Sequence, residues 1–204
     1  MRLRGWNIAG VLTAGLLALT IGVLGVSGFT EPAIRLLIRD TARISTTLFT
    51  LAFAASSLWA LLHRPWTRWL LENRRYLGVS FAIAHGAHLV CLGILALYFP
   101  HPFRDGLNAV RVGIGAGAYL LIALMAATSF DKTAALVGPR AWRALHKIGV
   151  YYVWILLFLA YAGRAAKEPW YIPLATLIVF GMLARIVAWI VEQKRRTGEN
   201  GLSA

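Results

Sequence analysis

Carboxylates are scarce in this chain, and disulfides are excluded. Of 204 residues only 8 are Asp or Glu, and each lies in a connecting segment, a tail or the end of an apolar run. A proton-coupled carrier generally relies on carboxylates inside its spans, so the sequence offers little for that chemistry. Cys91 is the single cysteine, which leaves no intramolecular disulfide and no Cys-x-x-Cys-His segment. It falls in an apolar run and is expected to pack as a small apolar side chain. Charged residues make up only 14% of the chain, too few to coat a soluble domain of this length. No Gly-rich dinucleotide fingerprint follows a strand, so the chain is not expected to take hydride from NAD(P)H by itself.

What is present is hydrocarbon. Hydrophobic residues make up 59% of the chain and the mean hydropathy is +0.66. A spanning helix needs about 20 mostly apolar residues. Six runs meet that length: Trp6–Val26, Ile44–Leu62, Tyr76–Phe99, Val110–Phe130, Leu145–Ala162 and Trp170–Val191. The expected fold is an all-α integral membrane protein, a single six-helix transmembrane bundle over residues 1–204 with a polar tail at 192–204 that reads as disordered.

The net charge of +13 resembles a nucleic-acid signal until it is mapped. With the N-terminus cytoplasmic, the inner segments hold Arg2, Arg4, Arg64, Arg68, Arg74, Arg75, Lys132, Arg140, Arg143, Lys147, Lys194, Arg195 and Arg196. The outer segments hold only Arg35, Arg39, Arg43, Arg104, Arg111, Arg164 and Lys167. That is the positive-inside bias, so the basic residues orient the chain against anionic lipid and imply no nucleic acid. Both termini are expected on the cytoplasmic face of a bacterial-type inner membrane. The first run, preceded by Arg2 and Arg4, is longer than a secretory h-region and reads as an uncleaved signal anchor.

The first connection, Thr30 to Ser45, has Ile34, Leu37 and Ile38 on one helical face and Arg35 and Arg39 on another. It reads equally as a short interfacial helix or as a linker. The second, from His63 to Arg75, carries Trp66 and Trp69 as headgroup anchors. The third, Pro100 to Asn108, is short and outer. The fourth, from Asp131, leads to His146 at the mouth of the fifth run. Trp170 and Tyr171 anchor the start of the sixth.

Two histidines, His85 and His88, interrupt an apolar run, about 15 and 20 Å along the helix from Arg75 at 1.5 Å per residue. Three residues apart, they share a helix face, and ionisable groups at that depth usually face the bundle interior. Beside them Ala84, Gly86 and Ala87 leave room for a close helix or for a flat macrocycle. The bland alternative is an imidazole bonded to a Ser, a Thr or a carbonyl of the next helix. Two on one face, with His146 near another span, favour a metal-ligand role. His63, at the end of the second run, and His101, between two prolines, read as interfacial and solvated. Arg185, inside the sixth run, either snorkels toward the headgroups or meets a buried carboxylate.

The segment "RRYLGVSFAIAHGAHL" resembles the third-helix pattern of the ferric reductase-like transmembrane family, in which a basic pair and Leu-Gly precede a histidine. His88 lies fourteen residues after Arg74, as in that pattern. Thr128-Ser129, then Trp142, Leu145-His146 and Tyr151, resemble the same family's entry to its fifth helix. Within the family the chain is most similar to the short haem-binding membrane subunits of periplasmic methionine sulfoxide reductase systems, the MsrQ or YedZ type. The resemblance covers residues 40 to 165. It implies a b-type cytochrome domain holding haem b noncovalently on His88 and His146. A second fifth-helix histidine, about thirteen residues on, is replaced here by Leu159 and Ala160, so one haem is expected and two are possible. A vertical offset on the order of 10 Å between His146 and His88 means that His85, one turn closer to the inner side, suits His146 better, so the expected haem sits on His146 with His85 or His88. Arg185 would then meet a haem propionate.

The resemblance also implies electron transfer from a separate flavoprotein or quinol, with FMN or a quinone at the membrane face, to a periplasmic redox acceptor. The alternative is a haem-free small transporter or assembly factor with a histidine relay.

Overall fold

The computed structural model describes residues 3–100 and 109–201. His101 and the third connection lie outside the described residues, as do Arg2 and Arg104. The helices are α1 (Trp6–Ser27), α2 (Glu31–Leu62), α3 (Pro65–Glu72), α4 (Arg74–Tyr98), α5 (Ala109–Ala127), α6 (Asp131–Val137), α7 (Pro139–Ala165) and, after a 3₁₀ turn at Pro169–Tyr171, α8 (Ile172–Gly201). Six of them are long and apolar enough to cross a membrane. The chain is an all-α, multi-pass membrane protein.

Helix α2 is the axis of the bundle. The first connection is neither a linker nor a separate interfacial helix: α2 runs unbroken from Glu31. Its first turns are held by Arg35–Glu31 and Arg43–Asp40 ion pairs at 2.7 and 3.2 Å, while Ile34 and Leu37 turn inward and are buried. Asp40 therefore lies inside a long helix rather than in a loop. Further along α2, Thr41, Ser45, Thr46 and Thr50 are buried. Thr41, Ser45 and Thr50 return their hydroxyl protons to the carbonyls of Leu37, Ala42 and Thr46 at 2.6, 3.0 and 2.9 Å. Back-bonding of this kind satisfies a hydroxyl within its own helix and lets a small polar residue sit in an apolar interior.

Five helices close a ring in the order α2, α4, α5, α7, α8 and back to α2, with α1 packed outside against α4. Small residues bring the neighbours together. A Cβ on Gly149 of α7 would lie 2.5 Å from Met125 Sδ of α5, and one on Gly181 of α8 would lie 3.0 Å from Thr50 Cγ2 of α2. Trp154 Nε1 of α7 donates to Ile178 O of α8 at 3.1 Å. Helices α4 and α7 are not a packed pair; they stand across the ring from each other with a space between them.

One end of the ring, which carries residues 3–5, α3 and α6, is tied together by polar and aromatic contacts. Asn73 accepts from Gly5 N at 2.9 Å and donates to Trp69 O at 2.8 Å, and Trp69 Nε1 donates to Leu3 O at 2.8 Å. Trp6 stacks on Phe130 and meets Tyr76 edge-on, both at 5.2 Å. The second connection is thus mostly helix α3. In the fourth, α6 is followed at once by α7, which starts at Pro139, where a missing backbone N–H costs nothing. His146 therefore lies two turns inside α7 and not at its mouth. At the other end of the chain, α8 carries the polar tail in helical form as far as Gly201.

Candidate functional site

Between α4 and α7 lies a cavity of about 580 Å³, within the range that holds a sizeable organic ligand. Phe49 and Phe53 of α2, Phe81 and Ala82 of α4, Ile122 and Met125 of α5 and Val150 of α7 form its apolar body. Gly78, on the α4 wall, has no heavy atom within 4 Å of where a Cβ would stand. A flat apolar body therefore meets no obstacle at that wall.

His146 lines this cavity, and two contacts hold its ring. Its Nε2 lies 3.2 Å from Thr128 Oγ1, and Trp142, one turn earlier on α7, stacks on it at 4.3 Å and 28°. Trp142 Nε1 in turn donates to Thr128 O at 2.9 Å, which pins the start of α7 to the end of α5. Residues one turn apart lie on the same helix face, so the Trp142–His146 pairing follows from sequence spacing.

The rim is cationic. Arg74, Arg75, Arg143, Lys147 and Arg185 border the cavity against only two carboxylates, Glu72 and Asp131. Both of those are committed, Glu72 to Arg68 at 2.9 Å and Asp131 to Arg75 at 2.8 Å. Among the described residues, Arg74, Lys147 and Arg185 have no carboxylate in ion-pair range. The buried Nε atoms of Arg75 and Arg185 have no hydrogen-bond partner. Of these cations Arg185 is part-buried without a counterion, and an anion at this rim would meet its charge.

Arg185 does not snorkel. It reaches into the ring, donating to Phe53 O at 2.9 Å and to Tyr151 Oη at 3.4 Å, with its guanidinium 4.5 Å above the Phe53 ring and 5.3 Å above that of Tyr151. There it forms a shared wall with a second cavity of about 410 Å³, bounded also by Ser57, Met182 and Trp189.

His85 and His88 form a separate cluster beyond Phe81. Their rings stack at 5.4 Å and 27°, and Tyr119 of α5 stacks on His85 at 4.9 Å. Phe81, which lines the cavity, lies 5.4 Å from His85 on the near side. His88 Nδ1 donates to Ile38 O at 2.9 Å, and His85 Nδ1 lies 3.2 Å from Ser45 Oγ. Both contacts run to α2, so the bland expectation of a cross-helix hydrogen bond is met. The same bonds also orient each ring and leave its Nε2 for another partner, the arrangement usual behind metal-ligating imidazoles. The structure thus brings His85 and His88 together and places His146 apart from them, in the cavity. No group of three or more His, Cys, Asp or Glu side chains converges among the described residues. Cys91 packs with Ile34, Leu37 and Leu95 in a small apolar cluster, as expected.

Sequence reasoning missed the cationic rim. Arg74, Arg75 and Lys147 read as positive-inside charges, because only the fold turns them toward one space.

Known proteins give one point of comparison. The chain is similar to the protein-methionine-sulfoxide reductase haem-binding subunit MsrQ of Azospira oryzae, with 31% identity over 138 residues. That match takes in 64% of this chain and 55% of the relative, so the chain spans about half the length of the curated protein it matches. The resemblance read from the two histidine segments is borne out by it. No family model and no solved structure matches the chain.

Proposed function

We propose that the chain is a b-type haem membrane subunit that carries electrons across a bacterial-type cytoplasmic membrane, with both termini on the cytoplasmic side. The observation that carries this reading is the cavity between α4 and α7: an apolar slot with an imidazole inside and a cationic rim on which two guanidinium groups each keep an Nε without a partner. Haem b has the matching chemistry, a flat apolar macrocycle with a metal at its centre and two carboxylates at one edge. The similarity to a haem-binding subunit points the same way.

In this reading His146 is the iron ligand inside the cavity. His85 and His88, past Phe81 on α4, would be the candidates to share in holding the iron, each with Nδ1 engaged by α2. Arg74, Arg185 and Lys147 receive the propionates, an ion pairing that offsets the cost of holding the part-buried Arg185. Phe49, Phe53 and Phe81 exclude water from the slot, which raises the strength of every charge interaction within it. Bound there, haem b supplies a one-electron ferric–ferrous couple.

The donor in this reading is a separate flavoprotein or a membrane quinol, with FMN or a quinone meeting the chain at its cytoplasmic face. The acceptor is periplasmic. The name of the relative makes a methionine sulfoxide reductase the first acceptor to try.

The test is direct. The protein, expressed with ample haem and purified in mild detergent, is expected to give a reduced-minus-oxidised spectrum of b type. In proteoliposomes it is expected to pass electrons from an external reductant to a trapped ferric acceptor. A preparation with no b-type absorption would abandon the reading in favour of a haem-free relay.

A further inference from the structure

The three intramembrane histidines are not equivalent, because neighbouring hydroxyl groups fix where each carries its proton. Thr128 Oγ1 has one hydrogen, and it lies 2.8 Å from Leu124 O and 3.3 Å from Met125 O. Carbonyls only accept, so that hydrogen is spent on the α5 backbone. Toward His146 Nε2, at 3.2 Å, the Thr128 oxygen can then only accept, and Nε2 must hold the proton. The same reasoning gives the opposite result on α4. Ser45 spends its hydrogen on Ala42 O, so His85 carries its proton on Nδ1, and Ile38 O requires a proton on His88 Nδ1. The α4 imidazoles thus present a bare Nε2, while the α7 imidazole has its Nε2 occupied.

We infer that Thr128 is a latch on His146, holding the imidazole in the Nε2–H tautomer. It is a positioning residue on the cavity wall, acting through His146. Nε2 of His146 can bind iron only after its proton moves to Nδ1 and the Thr128 bond is given up. A hydroxyl already committed to Leu124 O offers nothing in return. Trp142 keeps the ring stacked through this change, since its own anchor is the Thr128 carbonyl and not the hydroxyl. The latch sets how readily the site loads, and that part of the inference rests on the haem reading above.

The hydroxyl can be removed cleanly. Thr128→Val keeps the shape and the carbonyl that anchors Trp142, and Thr128→Ser restores the hydroxyl alone. Nitrogen-15 NMR of histidine-labelled, haem-free protein is expected to show His146 as Nε2–H and His85 and His88 as Nδ1–H. In Thr128→Val, His146 is expected to shift toward Nδ1–H, and haem titration to give binding about fivefold tighter, the size of one neutral hydrogen bond. Thr128→Ser is expected to match the parent in both. A parent His146 with a bare Nε2 overturns the inference, and so does a Thr128→Val protein unchanged in both tautomer and haem affinity. A chain that takes up no haem, yet shows Nε2–H at His146 and its loss in Thr128→Val, sinks the proposed function and leaves the tautomer assignment standing.

Discussion

Arg185 donates to the main-chain carbonyl of Phe53 at 2.9 Å while its guanidinium lies 4.5 Å above the same residue's ring. One residue of α2 thus holds the cation of α8 by its backbone and by its π face. The arrangement keeps the charge inside the ring although no carboxylate neutralises it.

Arg185→Met is therefore expected to have effects of opposite sign. Without haem, removing an unpaired buried cation in favour of an apolar chain of similar length raises stability, by about 1 kcal/mol. With haem, loss of the propionate contact weakens binding about tenfold, as for a charge-assisted hydrogen bond. Thermal unfolding of the haem-free protein and haem titration measure the two separately. A variant that loses stability and binds haem unchanged would place Arg185 in a purely structural role.

Asn73 is 2% exposed and joins the N-terminal segment to α3 through both ends of its amide. Asn73→Ala leaves Gly5 N–H without that acceptor, at a cost of about 1–3 kcal/mol. Asn73→Asp keeps the acceptor and is expected to fall between the two in melting temperature.

Gly149 shows how tightly α5 and α7 approach below His146. Gly149→Val must displace the buried Met125 side chain and is expected to cost about 1–3 kcal/mol, with a disturbed cavity beside it. Gly22 of α1 has no heavy atom within 4 Å of a Cβ position, so Gly22→Ala is expected to be neutral or to stabilise, by up to about 1 kcal/mol. Melting temperatures of the two variants in one detergent make the comparison.

The six spans were legible because hydrocarbon thickness demands long apolar runs, and nothing soluble competes with that pattern. Residues 31–43 were not, because Arg35, Arg39 and Asp40 break the apolar run. Arg35 and Asp40 are tolerated by ion pairs one turn apart and Arg39 by exposure, while Ile34, Leu37 and Thr41 are buried by contacts that only the folded bundle makes. The pairing of His85 with His88, and of Trp142 with His146, was visible as helical spacing. The Thr128–His146 bond and the inward turn of Arg185 were not, since each joins segments far apart in sequence. Sequence spacing ranks the three histidines alike as candidate ligands. The hydroxyl groups around them, which the spacing does not show, are what set them apart.

The central claim is that His146 holds haem inside the ring, and haem content per chain tests it most directly. Purified parent, His146→Ala and His63→Ala proteins are compared by pyridine haemochrome assay. His63 serves as the control because it caps α2 in a left-handed turn, with φ 48°, away from the cavity. The account predicts b-type haem in the parent and in His63→Ala, and its loss in His146→Ala. A His146→Ala protein that keeps the parent's haem content and spectrum contradicts it.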